Sequence, residues 1–71
     1  MYKIQFRDVE TGRMRQVITT DEEATLALVK AATAQGDAKV VELRVRVSTE
    51  TRFGTEWADV TTLAVLALNH S

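Results

Sequence analysis

Apolar and polar residues alternate most regularly in the segment VVELRVRV, residues 40–47. From residue 42 onward every second side chain is aliphatic, and the side chains between them are charged. This two-residue period is typical of a β-strand that buries one face and exposes the other. The aliphatic set is Leu43, Val45 and Val47, and the charged set is Glu42, Arg44 and Arg46. We therefore predict a strand over 40–47 whose exposed face is basic.

The N-terminal part of the chain has the pattern of a β-hairpin. Residues 2–7 and 14–19 read as strands, and the turn-forming sequence 10–13 between them contains Gly12. Glycine at this point permits the positive φ that tight turns require. Cross-strand pairing favours a loop of even length over a three-residue loop, which would set Arg7 against Arg15. The predicted pairs are Ile4 with Thr19, Phe6 with Val17, Asp8 with Arg15 and Glu10 with Arg13.

A helix is predicted directly after the hairpin. The sequence TDEE at residues 20–23 has the form of a capping box, in which the Thr20 hydroxyl accepts a hydrogen bond from the Glu23 amide. The helix is expected to continue through Ala34, and Gly36 fits its C-terminal stop. One side of this helix is rich in alanine and is expected to pack against the sheet. That side is formed by Ala24, Ala27, Leu28, Ala31, Ala32 and Ala34.

The last third of the chain allows two interpretations. Residues 48–52 are polar and turn-like, and Phe53, Thr55 and Trp57 alternate as in a fourth strand that pairs back on the third. Residues 60–68 are almost entirely apolar and rich in β-branched side chains, so they fit either a short helix or a buried strand. We predict the helix, with Asp59 as its cap. Trp57, the largest side chain, is expected in the core.

These elements predict a single small α+β domain over residues 1–71 in the order β-β-α-β-β-α. A three- or four-stranded antiparallel sheet carries one helix on a face, followed by the apolar C-terminal helix or strand. The predicted interior of the sheet is Ile4, Phe6, Val17, Leu43, Val45 and Val47.

Composition and the lengths of the apolar segments indicate in which part of the cell the chain is expected. The chain has no cysteine, so disulfides and thiolate metal sites are excluded. Its first residues lack the apolar block of a signal peptide, and residues 63–68 are too short to span a bilayer. With 45% apolar residues and a net charge of −1, the chain reads as an ordinary globular domain that is not drawn as a whole to nucleic acid. We expect a cytoplasmic protein without a membrane partner.

A cationic patch is the first candidate binding site. If the apolar residues of the first and third strands point to the core, then Lys3, Arg7, Arg44 and Arg46 point outward on the same sheet face. Such a patch suits contact with an acidic protein surface or with nucleic acid phosphates. The simpler explanation is a solvated face. Sheets that bind single strands usually carry aromatic side chains, and this assignment places none there, which counts against nucleic acid.

Two aliphatic residues of the predicted helix form the second candidate site. Leu26 and Val29 fall among the polar residues of its outer side, where a pair of exposed aliphatic side chains can mark a contact surface. The alternative is that the C-terminal segment covers them. Together with the apolar segment 60–68, they leave more apolar surface than a chain of this length can easily bury. This surplus predicts a homodimer, with a monomer as the alternative.

No arrangement of residues supports catalysis. His70 is the sole histidine and has no partner at metal-binding spacing, and the acids at 21–23 are explained by helix capping. The three glycines are isolated and do not form a phosphate-binding loop. We therefore expect no enzymatic activity, no catalytic or metal-binding residues and no cofactor.

In length and in its hairpin–helix–hairpin plan, the chain resembles small phage-encoded inhibitor proteins, including some anti-CRISPR proteins. The resemblance is architectural and covers most of the chain, without a diagnostic motif, so it assigns no role to any residue. It implies a protein that binds or inhibits a larger complex. We accordingly expect a non-enzymatic protein-interaction module, with a nucleic-acid-binding domain as the alternative.

Overall fold

A computed structural model describes residues 1–69, which form four strands and two helices. The elements are β1 (Tyr2–Arg7), β2 (Met14–Thr19), α1 (Glu22–Thr33), β3 (Arg44–Thr51), β4 (Gly54–Asp59) and α2 (Thr61–Asn69). The predicted α+β class, element order and antiparallel sheet are confirmed, and the sheet has four strands. Neither helix in this part of the chain is long and apolar enough to cross a membrane.

The strands lie in the order β2-β1-β3-β4, so β1 and β3 form the centre of the sheet and each hairpin supplies one edge. Both helices pack on one face, α1 mainly against β1 and α2 against β3 and α1. Buried residues of the helices, Val29 and Ala64, share one core with Ile4 and Val45 of the central strands. The opposite face of the sheet carries neither helix.

The first hairpin has a loop of even length, as predicted, but its register is shifted by two residues. Ile4 lies opposite Val17, and Phe6 lies opposite Arg15. Asp8 leaves the strand because its carboxylate accepts the Glu10 amide at 2.9 Å, closing a wider turn. The predicted pairs of Ile4 with Thr19 and Phe6 with Val17 are therefore wrong, although each of these residues keeps its face of the sheet. Asp8 still reaches Arg15 diagonally at 3.9 Å.

The third strand begins at Arg44 and not at residue 40. Residues 38–42 form turns, held by hydrogen bonds from the Val40 amide to the Asp37 carboxylate at 2.9 Å and from the Leu43 amide to Ala38 O at 2.9 Å. The apolar side chain of Val41 is nevertheless fully buried and closes one end of the core. The predicted strand 40–47 thus starts too early, because alternation alone does not distinguish a strand from the turn that leads into it.

Four of the six predicted interior residues are buried: Ile4, Phe6, Leu43 and Val45. Val47 is half-buried. Val17 is 37% exposed, so its placement in the core is wrong. It points to the helix side of the sheet, since it lies opposite Ile4. It is uncovered there because β2 is an edge strand and the helices lie mainly over the two central strands.

Helix α1 begins one residue later than the capping box predicts. The cap is Asp21, which has extended backbone angles and whose carboxylate accepts the Glu23 amide at 3.0 Å. The Thr20 cap is therefore wrong. Thr19 fixes this start, because its hydroxyl accepts the Asp21 amide at 3.1 Å. Asp21 satisfies an amide that would otherwise be unpaired at the first turn.

The buried side of α1 is not the alanine-rich side. Its fully covered residues are Thr25, Val29 and Ala32, whereas Ala27 and Ala31 are exposed. The helix turns its larger aliphatic side chains inward because they remove more apolar area from water than alanine does. Thr25 tolerates burial because its hydroxyl donates to the carbonyl of Asp21 at 3.0 Å.

The C-terminal segment is a helix, as predicted, and its first residue anchors it to the sheet. The Thr61 hydroxyl accepts the Val45 amide at 2.9 Å, and the Val60 amide donates to the Val45 carbonyl at 2.8 Å. The Asp59 carboxylate accepts both the amide and the hydroxyl of Thr61, at 2.9 and 2.7 Å. These bonds position α2 over β3, where Ala64 is buried.

The second hairpin projects beyond the rest of the sheet. β1 pairs with β3 only along Arg44–Val47, while the pairing of β3 with β4 continues to Thr51 and Gly54. Every residue of β4 is exposed. Phe53, at the hairpin turn, is 92% exposed. The distal hairpin is thus a two-stranded arm with an aromatic tip.

Candidate functional site

The strand register places a set of positive charges on the face that the helices leave uncovered. Lys3 lies opposite Arg46, which lies opposite Asp59 in β4. Directly opposed residues share a face, and the residues that alternate with them on the central strands, Ile4 and Val45, are buried under the helices. We call the uncovered side the outer face. It carries Lys3, Gln5, Arg7, Met14, Gln16, Ile18, Arg44, Arg46, Ser48, Trp57 and Asp59.

The four predicted cationic residues do not have equal surroundings. The Arg7 guanidinium forms an ion pair with the Glu42 carboxylate at 2.9 Å, and both side chains are about half exposed. This pair balances the charge of Arg7 at the edge of the outer face. Lys3, Arg44 and Arg46 lie further along the two central strands, without an ion pair among the described residues. They form the cationic part of the site.

Asp59 supplies one negative charge to the same face. Hydrogen bonds from the Thr61 hydroxyl and amide lower the pKa of its carboxyl, and the nearby charges of Arg44 and Arg46 add to this effect in smaller measure. Desolvation acts in the opposite direction, and its effect on the pKa is larger than that of either arginine. The carboxylate is therefore held ionised by the bonds that begin α2, and the two arginines help to keep it so.

Trp57 is the principal residue of the outer face that the sequence did not reveal. It lies opposite Ser48, on the same side as Arg46, and is 38% exposed, so its predicted place in the core is wrong. The Lys3 ammonium stands 4.4 Å from the centre of its ring. This geometry is a cation–π contact, which reaches across β3 from β1 to β4. The expectation that this face carries no aromatic residue is wrong too.

The position of Trp57 could have been predicted from the turn of the second hairpin, which joins β3 to β4. A two-residue turn at 52–53 pairs Thr51 with Gly54 and, counting back, Ser48 with Trp57. Ser48 alternates in phase with Arg44 and Arg46. The tryptophan therefore shares their face, provided that the turn residues are identified correctly.

Two apolar side chains complete the outer face on its β2 side. Met14 is 48% exposed and Ile18 is 50% exposed. They stand on either side of Gln16, and Ile18 lies opposite Lys3. The outer face thus combines three cations that have no ion pair among the described residues, an aromatic ring and partly exposed apolar side chains.

The second candidate site of the sequence, Leu26 with Val29, is not an exposed pair. Val29 is fully buried in the core and cannot contact a partner. Leu26 is half-buried and lines an apolar groove of about 250 Å³ between the two helices and the sheet. The C-terminal helix packs on this side of α1, as the alternative held. Among the large aliphatic residues of the two helices, those left exposed are on α2, Leu63 at 66% and Leu66 at 46%.

The described residues bring no group of three metal-ligating side chains together. The acids at 21–23 begin α1, where Asp21 serves as the cap. His70, the sole histidine, lies outside the described residues. Comparison of the chain with protein-family models, with curated proteins and with solved structures found no match.

Proposed function

We propose that the chain is a non-enzymatic protein-interaction module whose outer face binds an acidic surface of a larger complex. The observation that carries this proposal is the presence of Trp57 beside Arg44 and Arg46 on an uncovered sheet, outside the core. Tryptophan and arginine are the residues most enriched where binding energy concentrates in protein interfaces. Lys3 holds the ring from one side, so the aromatic group is already ordered before a partner arrives.

The dimensions of the molecule support an interface on this face. A standard interface buries about 800 Å² on each partner. The described surface measures 5087 Å², and the molecule is a flat body of 41 × 28 × 18 Å. One broad side therefore offers enough area. Met14 and Ile18 add apolar contact next to the charges, as in the mixed composition of protein interfaces.

The proposal includes the mode of action that the resemblance to small phage-encoded inhibitors implies. A protein without catalytic groups can act by occupying a surface that another molecule needs. The arginines would provide electrostatic attraction and orientation, and the tryptophan would provide the buried anchor. A cytoplasmic setting, expected from the sequence, is part of this proposal.

A second candidate function is binding of single-stranded nucleic acid. The specific observation in its favour is again Trp57, because an exposed ring among cations can stack on a base. Two features weigh against it: the net charge of −1, and the carboxylate of Asp59 opposite Arg46 on the same face. We therefore place protein binding first.

Affinity capture with matched variants tests the proposal. The test variant is Arg44→Gln/Arg46→Gln, since glutamate at 46 would face Asp59 and disturb the strand pair. The control is Lys30→Gln/Arg52→Gln, which removes the same charge from the exposed side of α1 and from the turn of the second hairpin, away from the outer face. A lysate of the source organism is treated with nuclease and passed over each immobilised form. We expect a protein retained by the wild type and the control, with affinity for the test variant at least tenfold weaker, about 1.4 kcal/mol.

The same three forms, titrated with labelled oligothymidylate and oligouridylate, separate the two candidates. Strong salt-dependent binding that disappears in Arg44→Gln/Arg46→Gln, without a captured protein, would favour nucleic acid. Capture of the same protein by all three forms would contradict a role for the outer face.

A further inference from the structure

Strand β2 forms one edge of the sheet and lacks most of the features that usually protect an edge. Natural edge strands are blunted by charged side chains, above all lysine, by proline, by bulges or by a covering element. β2 contains neither lysine nor proline, its one charged residue, Arg15, is paired with Asp8 of the same chain at 3.9 Å, and every residue pairs with β1 without interruption. It exposes apolar side chains on both faces, Met14 and Ile18 on the outer face and Val17 on the helix side.

We infer that β2 pairs antiparallel with β2 of a second copy of the chain, around a two-fold axis at Gln16. Met14 and Ile18 stand at equal distances from Gln16 along the strand, on the same face. The axis therefore sets Met14 of each copy against Ile18 of the other. On the helix side it sets Val17 against the aliphatic stem of Arg15. The three exposed apolar residues of β2 are covered, and the backbone groups at the edge find partners.

The charges around β2 favour this antiparallel partner. Arg13 precedes the strand and has no ion pair among the described residues, because Asp8 contacts Arg15. Glu22 and Glu23 follow the strand at its other end, in the first turn of α1. Antiparallel pairing brings the Arg13 end of each copy towards the acidic end of the other, twice by symmetry.

This dimer does not rest on the proposed protein-binding role, although both use Met14 and Ile18, and it would change how the outer face is presented. Two sheets of four strands would join into one sheet of eight, with both outer faces on the same side. Each copy would contribute its own Lys3, Arg44, Arg46 and Trp57. A partner with repeated acidic surfaces would then bind two sites at once.

Light scattering after gel filtration at micromolar concentration gives the first test. We expect the wild type at about twice the chain mass of 7.9 kDa. Ile18→Glu should shift the mass to that of one chain, because the carboxylate would be buried against Met14 of the second copy. The fold should survive, since Lys3 lies opposite this position within the chain. Circular dichroism verifies that it does. The control is Leu63→Glu, on the exposed side of α2, which should stay dimeric.

A wild type of single-chain mass would overturn the inference, and so would a dimeric Ile18→Glu variant. A monomeric Leu63→Glu variant would place the interface on α2 instead.

Disulfide formation tests the position of the axis. Because the chain has no cysteine, Gln16→Cys introduces a single thiol, which the two-fold axis places opposite itself in the second copy. Directly paired residues of antiparallel strands have the Cα separation that a disulfide needs. We expect this variant to form a covalent dimer on mild oxidation. Gln5→Cys, on the same face but one strand further in, should remain a monomer on a denaturing gel. Equal cross-linking of both variants, or none of Gln16→Cys, would overturn the Gln16 axis.

Discussion

The two faces of the sheet are built from the same strands but from different chemistry. On the helix side, Ile4, Phe6 and Val45 join residues of both helices in a core. Among residues 1–69 its only buried polar member is Thr25, whose hydroxyl is hydrogen-bonded. On the outer face, the side chains between them are charged, aromatic or half-exposed aliphatic ones. We attribute the stability of the domain to the helix side and the proposed recognition to the outer face. Substitutions on the helix side should therefore lower stability, whereas substitutions on the outer face should weaken partner binding and change stability little.

The largest loss of stability is expected from truncation on the helix side. Leu43→Ala should lower the free energy of unfolding by about 2–5 kcal/mol, because Leu43 is 8% exposed and its removal leaves a cavity. Leu63→Ala is the matched control, since this leucine is 66% exposed on α2. It should change stability by less than about 0.5 kcal/mol. Urea denaturation followed by the fluorescence of Trp57 measures both. Equal losses would contradict the division of the sheet into two faces.

The next largest effect is expected where α2 joins β3. Thr61→Val removes the hydroxyl that accepts the buried Val45 amide, at a cost of about 1–3 kcal/mol. It also removes a hydrogen bond to Asp59, so the pKa of that carboxyl should rise towards its ordinary value. Thr61→Ser retains the hydroxyl and serves as control. Unfolding experiments give the stability, and an NMR titration of the Asp59 carboxyl gives the pKa.

The sign of the pH dependence follows from this shift. Because the pKa of Asp59 is lower in the folded protein, its contribution to stability is full above the unfolded value of about 3.9 and is lost as the pH falls through the folded value. The stability difference between wild type and Thr61→Val should therefore narrow in acid. A difference that widens as the pH falls below 4 would show that Asp59 is not stabilised in the way described.

A smaller effect is expected from the cation–π contact of the outer face. Lys3→Gln removes the ammonium from the Trp57 ring and should cost about 0.5–1 kcal/mol, the range for exposed pairs. Lys39→Gln, in the turn before β3, removes the same charge away from the ring and should have no measurable effect. Trp57 fluorescence should respond to the first substitution alone. Identical emission spectra of the two variants would argue against the contact.

The smallest effect on stability is expected from the two arginines. Arg44→Gln/Arg46→Gln should leave the unfolding free energy within about 0.5 kcal/mol of the wild type, although it weakens partner binding. Thermal melts of this variant and of Lys30→Gln/Arg52→Gln should coincide. A marked loss of stability in the first variant would mean that the outer face contributes to folding, and its weaker binding could then be explained by unfolding.

Alternation along the strands was enough to predict the sheet and its two faces, because side-chain direction follows from periodicity alone. It did not determine register. Ile4 faces Val17 because the Asp8 side chain bonds within the loop, and no property of the strands themselves encodes that bond. The predicted face of each of these residues is nevertheless correct. A register shift of two residues leaves every side chain on its face, whereas a shift of one residue would move it to the other face.

It was harder to predict which side chains the helices cover than to predict which face of the sheet each side chain lies on. Val17 points to the helix side yet is exposed, and Val29 was expected at the surface yet is buried. Both errors have the same origin: helix packing decides which residues are covered, and the sequence does not state where a helix lies over a sheet. Trp57 was misplaced for a related reason. Its size suggested the core, but the two-residue turn at 52–53 puts it on the uncovered face of an edge strand.

NMR mapping of the bound partner tests the central claim, that the outer face is the recognition surface. The isotope-labelled chain is titrated with the protein recovered by affinity capture, and backbone amides and the Trp57 indole are followed. We predict that the largest shifts occur at the indole and at Lys3, Arg44 and Arg46, and that amides of α1 and α2 change little. Shifts concentrated on α2 and the groove beside Leu26, with an unchanged indole, would contradict the account.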